Sequence, residues 1–324
     1  MNEFQFIDSI KQDSYKQRSL QKGIGDDAAV FRSLSEDVVT AVDTFVENIH
    51  FTKKTANSYH IGYRCLAANI SDMAAIGAEP KFYLVSVVVP KTVSTNQLAE
   101  LYNGMQDIAD QFQMDLIGGD TVTGDQLVVT VTIIGFVPRD KARYRSNARK
   151  NDIVFVTGTL GDSQAGLSLL LNEQNAEGKE YFIERHRKPT PRVHFSKSLQ
   201  AVKRLALNDV SDGIANELQE IAQASDVTIV IEDDKIPVSP NFLQFPASKQ
   251  YFWKYFGGED FELVGTVPKE DWDLLKEKAH RHSLRLTKIG QVTYNKDSNG
   301  NVFVLKDNQL LPLKQHGYIH EVGE

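Results

Sequence analysis

Apolar residues occur along the chain in short strand-like runs that alternate with longer helix-like segments. Phe82 to Val89 and Leu127 to Val137 are rich in β-branched residues, so they predict buried strands. Ser58 to Gly77 repeats apolar residues every three or four positions and predicts a helix that ends before Pro80. Leu98 to Phe112 and Ser196 to Leu207 predict two further helices. The alternation predicts layered α/β or α+β units.

A basic, polar stretch near mid-chain separates two such series of elements. It runs from Arg139 to Lys150, has few apolar anchors, and precedes a predicted strand at Ile153 to Thr157. A chain of 324 residues favours two domains over one. We therefore expect one domain over residues 1–145 and a second over residues 146–324. The stretch itself favours a solvated linker, although one of its arginines could reach a phosphate.

Acidic residues recur beside glycines or at the predicted ends of regular elements. They are Asp26-Asp27, Asp43, Asp72, Gly118-Gly119-Asp120-Thr121, Asp209, Asp212 and Glu259-Asp260. Each one alone is compatible with ordinary turn chemistry, and Ser211 could simply cap the helix that follows it. Gathered together, these carboxylates would repel one another unless a cation lay between them. Hard cations such as Mg²⁺ take oxygen ligands and bridge to phosphates. The pattern predicts a magnesium–nucleotide site that lacks a Walker A loop.

The composition excludes several classes of partner. The formal net charge is −7, which disfavours nucleic acid as a main partner. Cys65 is the single cysteine, so the chain has no internal disulfide and no cysteine-based zinc site, as expected of a cytoplasmic protein. Residues 1–22 are polar, so we expect no signal peptide, and no apolar run reaches the length of a membrane span.

Taken together and in this order, eight motifs resemble those of the thiamine-monophosphate kinase family, within the aminoimidazole-ribonucleotide-synthetase superfamily. The similarity covers Gly23 to about Tyr318. The motifs are Gly23-Ile24-Gly25-Asp26-Asp27-Ala28-Ala29, Val42-Asp43-Thr44, His50-Phe51, Asn69-Ile70-Ser71-Asp72-Met73-Ala74-Ala75-Ile76-Gly77-Ala78, Gly118-Gly119-Asp120-Thr121, Thr157-Gly158-Thr159-Leu160-Gly161-Asp162, Asp209-Val210-Ser211-Asp212-Gly213 and Gly257-Gly258-Glu259-Asp260-Phe261-Glu262-Leu263.

The resemblance implies a two-domain fold whose N-terminal domain forms a homodimer through its sheet. It implies transfer of the ATP γ-phosphoryl group to thiamine monophosphate, with several Mg²⁺ ions. Metal ligands implied in this way are Asp27, Asp43, Asp72, Asp120, Asp209 and Asp212, of which Asp43, Asp120 and Asp212 are also expected to be catalytic. Contacts to ATP are implied for Gly119, Asp120, Arg145 and Ser211, and contacts to thiamine monophosphate for His50, Glu259 and Tyr318.

Two other classes of protein compete with this interpretation. Another ATP-dependent enzyme of the superfamily would carry other motifs; selenophosphate synthetase needs a reactive cysteine in an N-terminal glycine-rich loop, whereas Cys65 lies in a predicted helix. The acids could also belong to a structural cation-binding protein without catalysis. Release of ADP that depends on thiamine monophosphate would separate these possibilities.

Overall fold

Two β-sheets with helices packed against them form the computed structural model, which describes residues 20–22, 29–32, 35–172, 175–294 and 300–313. The spacing of Phe6, Ile7 and Ile10 also predicts a short helix at Phe4 to Ser14, and that segment lies outside these ranges. The first sheet contains β1 (Leu20–Lys22), β2 (Ala29–Arg32), β3 (Glu36–Val46), β4 (Glu79–Pro90), β5 (Asp115–Gly124) and β6 (Val128–Pro138). Its strand order is β1-β2-β3-β6-β4-β5, antiparallel except for the β4–β5 pair. The edge strand β5 is exposed along almost its whole length.

Two helices cover one face of this sheet, and both have defined ends. Helix α1 (Ser58–Ile76) begins where the Asn57 side chain accepts a hydrogen bond from the amide of His60, and it ends at Gly77 with φ 80°. That left-handed conformation suits glycine. Helix α2 (Thr95–Gln111) begins with a capping box formed by Ser94 and Gln97. The predicted helix over residues 58–77 is confirmed.

The second sheet follows from Ile153 onward. It contains β7 (Ile153–Thr157), β8 (Ala206–Asp209), β9 (Thr228–Glu232), β10 (Leu263–Val267), β11 (Leu286–Thr293), β12 (Val302–Lys306) and β13 (Gln309–Pro312). The order is β13-β12-β9-β11-β7-β10-β8. Its helices are α3 (Asp162–Asn172), α4 (Lys179–Arg187), α5 (Val193–Ser198), α6 (Ile214–Ser225), α7 (Ala247–Phe256) and α8 (Trp272–Arg281). The expected α/β architecture with two units is confirmed.

Helix α1 packs against both halves of the chain. Its buried residues Ile70 and Met73 share one apolar cluster with Phe195 and Leu207 of the second half. The helix contacts β3 and β6 on one side and β8 and α5 on the other. The two halves are therefore joined by a continuous core at α1, and residues on this helix can reach groups on both sheets.

The basic stretch is not a solvated linker, contrary to the expectation. Arg143 is buried, and its guanidinium donates hydrogen bonds to the carbonyls of Leu199 (2.6 Å) and Val202 (3.0 Å). Arg145 is also largely buried. The guanidinium of Arg143 satisfies backbone acceptors of the second half, so this segment fastens the two halves together.

Three further local predictions were wrong. Residues 196–207 form the end of the short helix α5, an irregular connection and the start of β8 rather than one helix. Strand β3 continues past Asp43 to Val46, so this aspartate lies inside a strand and not at its end. The Gly118–Thr121 segment is the middle of β5 rather than a turn.

Candidate active site

The carboxyl groups of Asp43 and Asp209 lie close together, one from each half of the chain. Asp43 is on the face of β3 that carries the buried Ala41 and Phe45, and Asp209 is the buried last residue of β8. Ser71 of α1 donates a hydrogen bond of 2.6 Å to Asp209. Burial, followed by the charge of Asp209, raises the pKa of Asp43, and burial also raises the pKa of Asp209. Two desolvated acids that repel one another form a place where a cation would be stabilised.

The loop after β8 is organised by Glu217, which sequence reasoning missed. Its carboxylate accepts hydrogen bonds from the amide of Asp212 (3.0 Å) and from the hydroxyl of Ser211 (3.3 Å). Gly213, and not Ser211, is the residue that precedes the first turn of α6, so Ser211 is not the N-cap. Burial, followed by the charges of Glu220 and Asp212, raises the pKa of Glu217 well above its usual value.

Arg145 joins the same group of polar residues. Its guanidinium lies 3.1 Å from the Asn208 amide oxygen and 3.0 Å from a carboxylate oxygen of Glu220. Asn208 donates in turn to Glu217 and Glu220. The arginine that the resemblance assigns to ATP is therefore linked through Asn208 and Glu217 to Ser211 and Asp212, which are assigned to ATP and metal.

Glu259 and His50, which the resemblance assigns to thiamine monophosphate, are joined by a continuous series of side-chain contacts. Glu259 forms an ion pair with the buried Arg64 of α1, and the Arg64 guanidinium lies 5.9 Å from the centre of the Phe45 ring. The Phe45 ring packs against His50, with 5.3 Å between ring centres. The charges of Asp43 and Glu259 both act on the buried thiol of Cys65, whose pKa is raised above all by burial. The substrate residues and the acid pair thus belong to one region of the molecule.

Asp120 is not part of this cluster within one chain. It pairs in register with Ser86, which pairs with Thr130, which pairs with Thr44. Paired residues share a face of a sheet, whereas neighbours along a strand point to opposite faces, so Asp120 and Asp43 lie on opposite faces. The two strands are also separated by β6 and β4, about 14 Å in all.

Gly119 has a structural reason to be glycine. A Cβ atom there would lie 2.0 Å from the carbonyl oxygen of Val85 on the neighbouring strand. The residue therefore allows β5 to pair with β4, whether or not a ligand approaches it. A cavity of about 490 Å³ next to it is lined by Val85, Tyr102, Leu116 and residues 118–121.

The remaining predicted residues are distributed unevenly. Asp72 is half-buried on α1, next to Ser71. Asp27 and Tyr318 lie outside the described residues. Within the described ranges, no three histidine, cysteine, aspartate or glutamate side chains are gathered as a ready metal site. The donors nevertheless fit Mg²⁺, since Asp43 and Asp209 offer carboxylate oxygens whose charges are close together and poorly solvated.

Two missed residues could have been found from the periodicity of their helices. Glu217 falls on the same helical line as Ile214, Leu218 and Ile221, and Arg64 falls on that of Ile61, Cys65 and Ala68. A charged residue on an apolar line must be paired when it is buried. The pattern therefore marks both residues, although it does not reveal their partners.

Comparison with known proteins agrees with this arrangement of two halves. Residues 25–137 match the family AIR synthase related protein, N-terminal domain, and residues 149–302 match its C-terminal domain. A solved structure described as AaThiL complexed with AMPPCP and TMP is 30% identical, covers 98% of this chain and 97% of that chain, and has a TM-score of 0.84. Thiamine-monophosphate kinase from Stenotrophomonas maltophilia K279a is 32% identical, covers 89% of this chain and 92% of that chain, and has a TM-score of 0.78.

Two domains of these types, meeting at a cluster of acids, define an AIR synthase related protein. A relative in Bacillus subtilis (strain 168), thiamine-monophosphate kinase, is 46% identical over 327 residues and covers 99% of each chain. The chain belongs to the thiamine-monophosphate kinase family. In the described parts of the chain, no helix has the length and apolar character that crossing a bilayer requires.

Proposed function

We propose that this chain transfers the γ-phosphoryl group of ATP to thiamine monophosphate and releases thiamine diphosphate and ADP. The observation that carries the proposal is the Asp43–Asp209 pair, which brings acids of both domains together in a member of this family. Solved relatives include one complexed with AMPPCP and TMP. The reaction belongs to thiamine diphosphate biosynthesis, and we place the enzyme in the cytoplasm.

The acceptor needs no general base. Its phosphate monoester loses its second proton near pH 6, so the attacking oxygen is already largely ionised at neutral pH. The main obstacle is repulsion between two anionic groups, which positioning and charge neutralisation overcome. We therefore propose direct in-line transfer without a phospho-enzyme. Such a site is expected to be rich in aspartate and to lack a histidine base.

Mg²⁺ ions would neutralise phosphate charge in this site. The residues proposed to hold them are Asp27, Asp43, Asp72, Asp120, Asp209 and Asp212. Arg145 and Ser211 are proposed to bind the nucleotide, together with Gly119 and Asp120. His50, Glu259 and Tyr318 are proposed to bind thiamine monophosphate. The roles of Asp27, Asp120 and Tyr318 rest on the family resemblance alone.

The activity is tested by coupling ADP release to an optical signal. We expect ADP release with ATP and Mg²⁺ to require thiamine monophosphate, and chelation of Mg²⁺ to abolish it. Thiamine without its phosphate is the matched control acceptor, because it lacks the attacking oxygen. ADP release at the same rate with and without thiamine monophosphate would contradict the proposed acceptor, and no release at all would favour a structural cation-binding protein.

We also propose that the chain forms a homodimer through its first sheet. The face opposite α1 and α2 leaves apolar side chains exposed, among them Val42 (59%), Ile117 (51%) and Val122 (46%). In the part of the chain that the structure describes, the outer edge of β5 also leaves backbone groups without a neighbouring strand. An apolar face beside an exposed strand edge is typical of a protein–protein contact.

Sedimentation equilibrium is expected to give a dimer at micromolar concentration. Val42→Glu is expected to shift the equilibrium toward monomer, because it places a charge within the apolar face that would be buried. Lys150→Glu, at an exposed position outside this sheet, is the control and should leave the dimer intact. A wild-type protein that sediments only as monomer would contradict the proposal.

A further inference from the structure

Arg64 is a buried cation that extends from one domain to a residue of the other. It lies on α1 with 1% of its side chain exposed, and it forms an ion pair with Glu259 in the loop before β10. Its Nε atom is buried without a hydrogen-bond acceptor among the described residues. Burying an arginine that has so few hydrogen-bond acceptors costs free energy. The hydrogen bonds that Arg64 makes therefore do not by themselves explain why an arginine occupies this position.

The backbone at Glu259 is held in an unusual conformation. Its φ is 65°, a left-handed value that non-glycine residues adopt uncommonly. Its amide donates a 2.7 Å hydrogen bond to the carbonyl of Ser211, so the loop is tied to the loop after β8. A Cβ atom on the preceding Gly258 would lie 2.2 Å from that same carbonyl oxygen. This close approach fixes the position from which the Glu259 side chain extends.

The second carboxylate oxygen of Glu259 faces His186. This oxygen lies 3.6 Å from the Nδ1 atom of His186, and Nδ1 also lies 3.1 Å from the hydroxyl oxygen of Ser163. Burial, followed by the charge of Arg64, lowers the pKa of His186 well below its usual value. His186 is therefore neutral at pH 7, and Arg64 provides the charge that pairs with this carboxylate.

We propose that Arg64 is a positioning residue for the acceptor: across the domain boundary it holds the Glu259 carboxylate in the orientation that binds thiamine monophosphate. The inference deepens the proposed function, since it depends on Glu259 contacting the acceptor. Thiamine carries a cationic thiazolium ring, which a fixed carboxylate can favour.

Steady-state kinetics of four variants test this role. Arg64→Met is expected to raise the KM for thiamine monophosphate about tenfold, which corresponds to 1.4 kcal/mol, and to leave the KM for ATP within about twofold. Arg64→Lys keeps the charge and is expected to recover part of the loss. Because Arg64 acts through Glu259, adding Arg64→Met to Glu259→Gln should raise the KM no further than Glu259→Gln alone does.

Calorimetry measures the dissociation constant for thiamine monophosphate without turnover. This constant should rise across the variants in the same order as the KM for thiamine monophosphate. Arg204→Met is the matched control, since Arg204 is a half-buried arginine that pairs with the buried carboxylate of Asp152. It is expected to lower the melting temperature without changing the KM for thiamine monophosphate. If Arg64→Met does not fold, the cycle is run with Arg64→Lys.

Three results would overturn the inference: unchanged acceptor KM in the Arg64 variants, equal rises in the KM values of both substrates, or additive effects of the Arg64 and Glu259 substitutions. Any of these would leave Arg64 as a structural residue of the domain contact. Failure of the proposed function is separate, because it would show as a wild-type enzyme whose ADP release does not depend on thiamine monophosphate.

Discussion

Asp43→Asn is expected to lower kcat at least about a hundredfold while the protein stays folded. The side chain lies on the buried face of β3, close to the carboxylate of Asp209. An amide is a neutral and weaker ligand for Mg²⁺, so the charge that opposes phosphate repulsion would be lost at this position. Removing one electrostatic contribution of this kind typically lowers kcat by two to three orders of magnitude, which corresponds to about 3–4 kcal/mol of transition-state stabilisation.

The melting temperature of Asp43→Asn without Mg²⁺ is expected to equal or exceed that of the wild type at pH 7. Because the pKa of Asp43 is raised on folding, its ionisation destabilises the folded protein as the pH rises from the unfolded pKa through the folded pKa. The amide removes that cost. Single-turnover kinetics and thermal denaturation check the two halves of the prediction. A folded variant with near-normal kcat would remove Asp43 from the proposed ligands.

Glu262→Ala is expected to destabilise the protein by about 3–5 kcal/mol, because it would remove the carboxylate that pairs with two largely buried arginines. Glu262 is 1% exposed, and its carboxylate pairs with Arg185 (3.0 Å) and Arg192 and accepts a 2.7 Å hydrogen bond from Thr157. A Cβ atom at Gly158, where φ is 59°, would lie 2.0 Å from this carboxylate, so the glycine leaves room for the Glu262 side chain.

The contribution of Glu262 also has a defined pH dependence. Burial alone would raise its pKa, but the charges and hydrogen bonds of Arg192 and Arg185 hold it below its usual value. A carboxyl whose pKa is lowered on folding stabilises the protein above the unfolded pKa of 4.5, and the stabilisation is lost as the pH falls through the folded pKa.

Urea denaturation at pH 7 and at pH 4 measures this contribution. The difference between wild type and Glu262→Ala is expected to become smaller at the lower pH. Glu184→Ala is the control, because Glu184 is 61% exposed and forms a 3.7 Å surface pair with Lys188. Its effect should stay below about 1 kcal/mol. A similarly small effect of Glu262→Ala would show that the two arginines find other partners.

The sequence by itself determined the elements whose signals are local. The apolar spacing of residues 58–77, with Gly77 as its end, predicted α1, and the apolar run at Ile153–Thr157 predicted β7. These signals depend on neighbours within one or two turns, so they are present in the chain before it folds. The eight motifs, taken in order, also indicated the family, because each motif is a short segment whose residues can be read directly from the sequence.

The tertiary structure alone decided which of the motif residues meet. Asp43 and Asp209 become neighbours because β3 and β8 both pack against α1, whereas strand alternation puts Asp120 on the opposite face of the first sheet. Glu217 and Arg64 acquire partners only when loops and helices from distant segments converge. Such pairings depend on the order of the strands in each sheet and on the desolvation of charges. Neither is defined until the chain has folded.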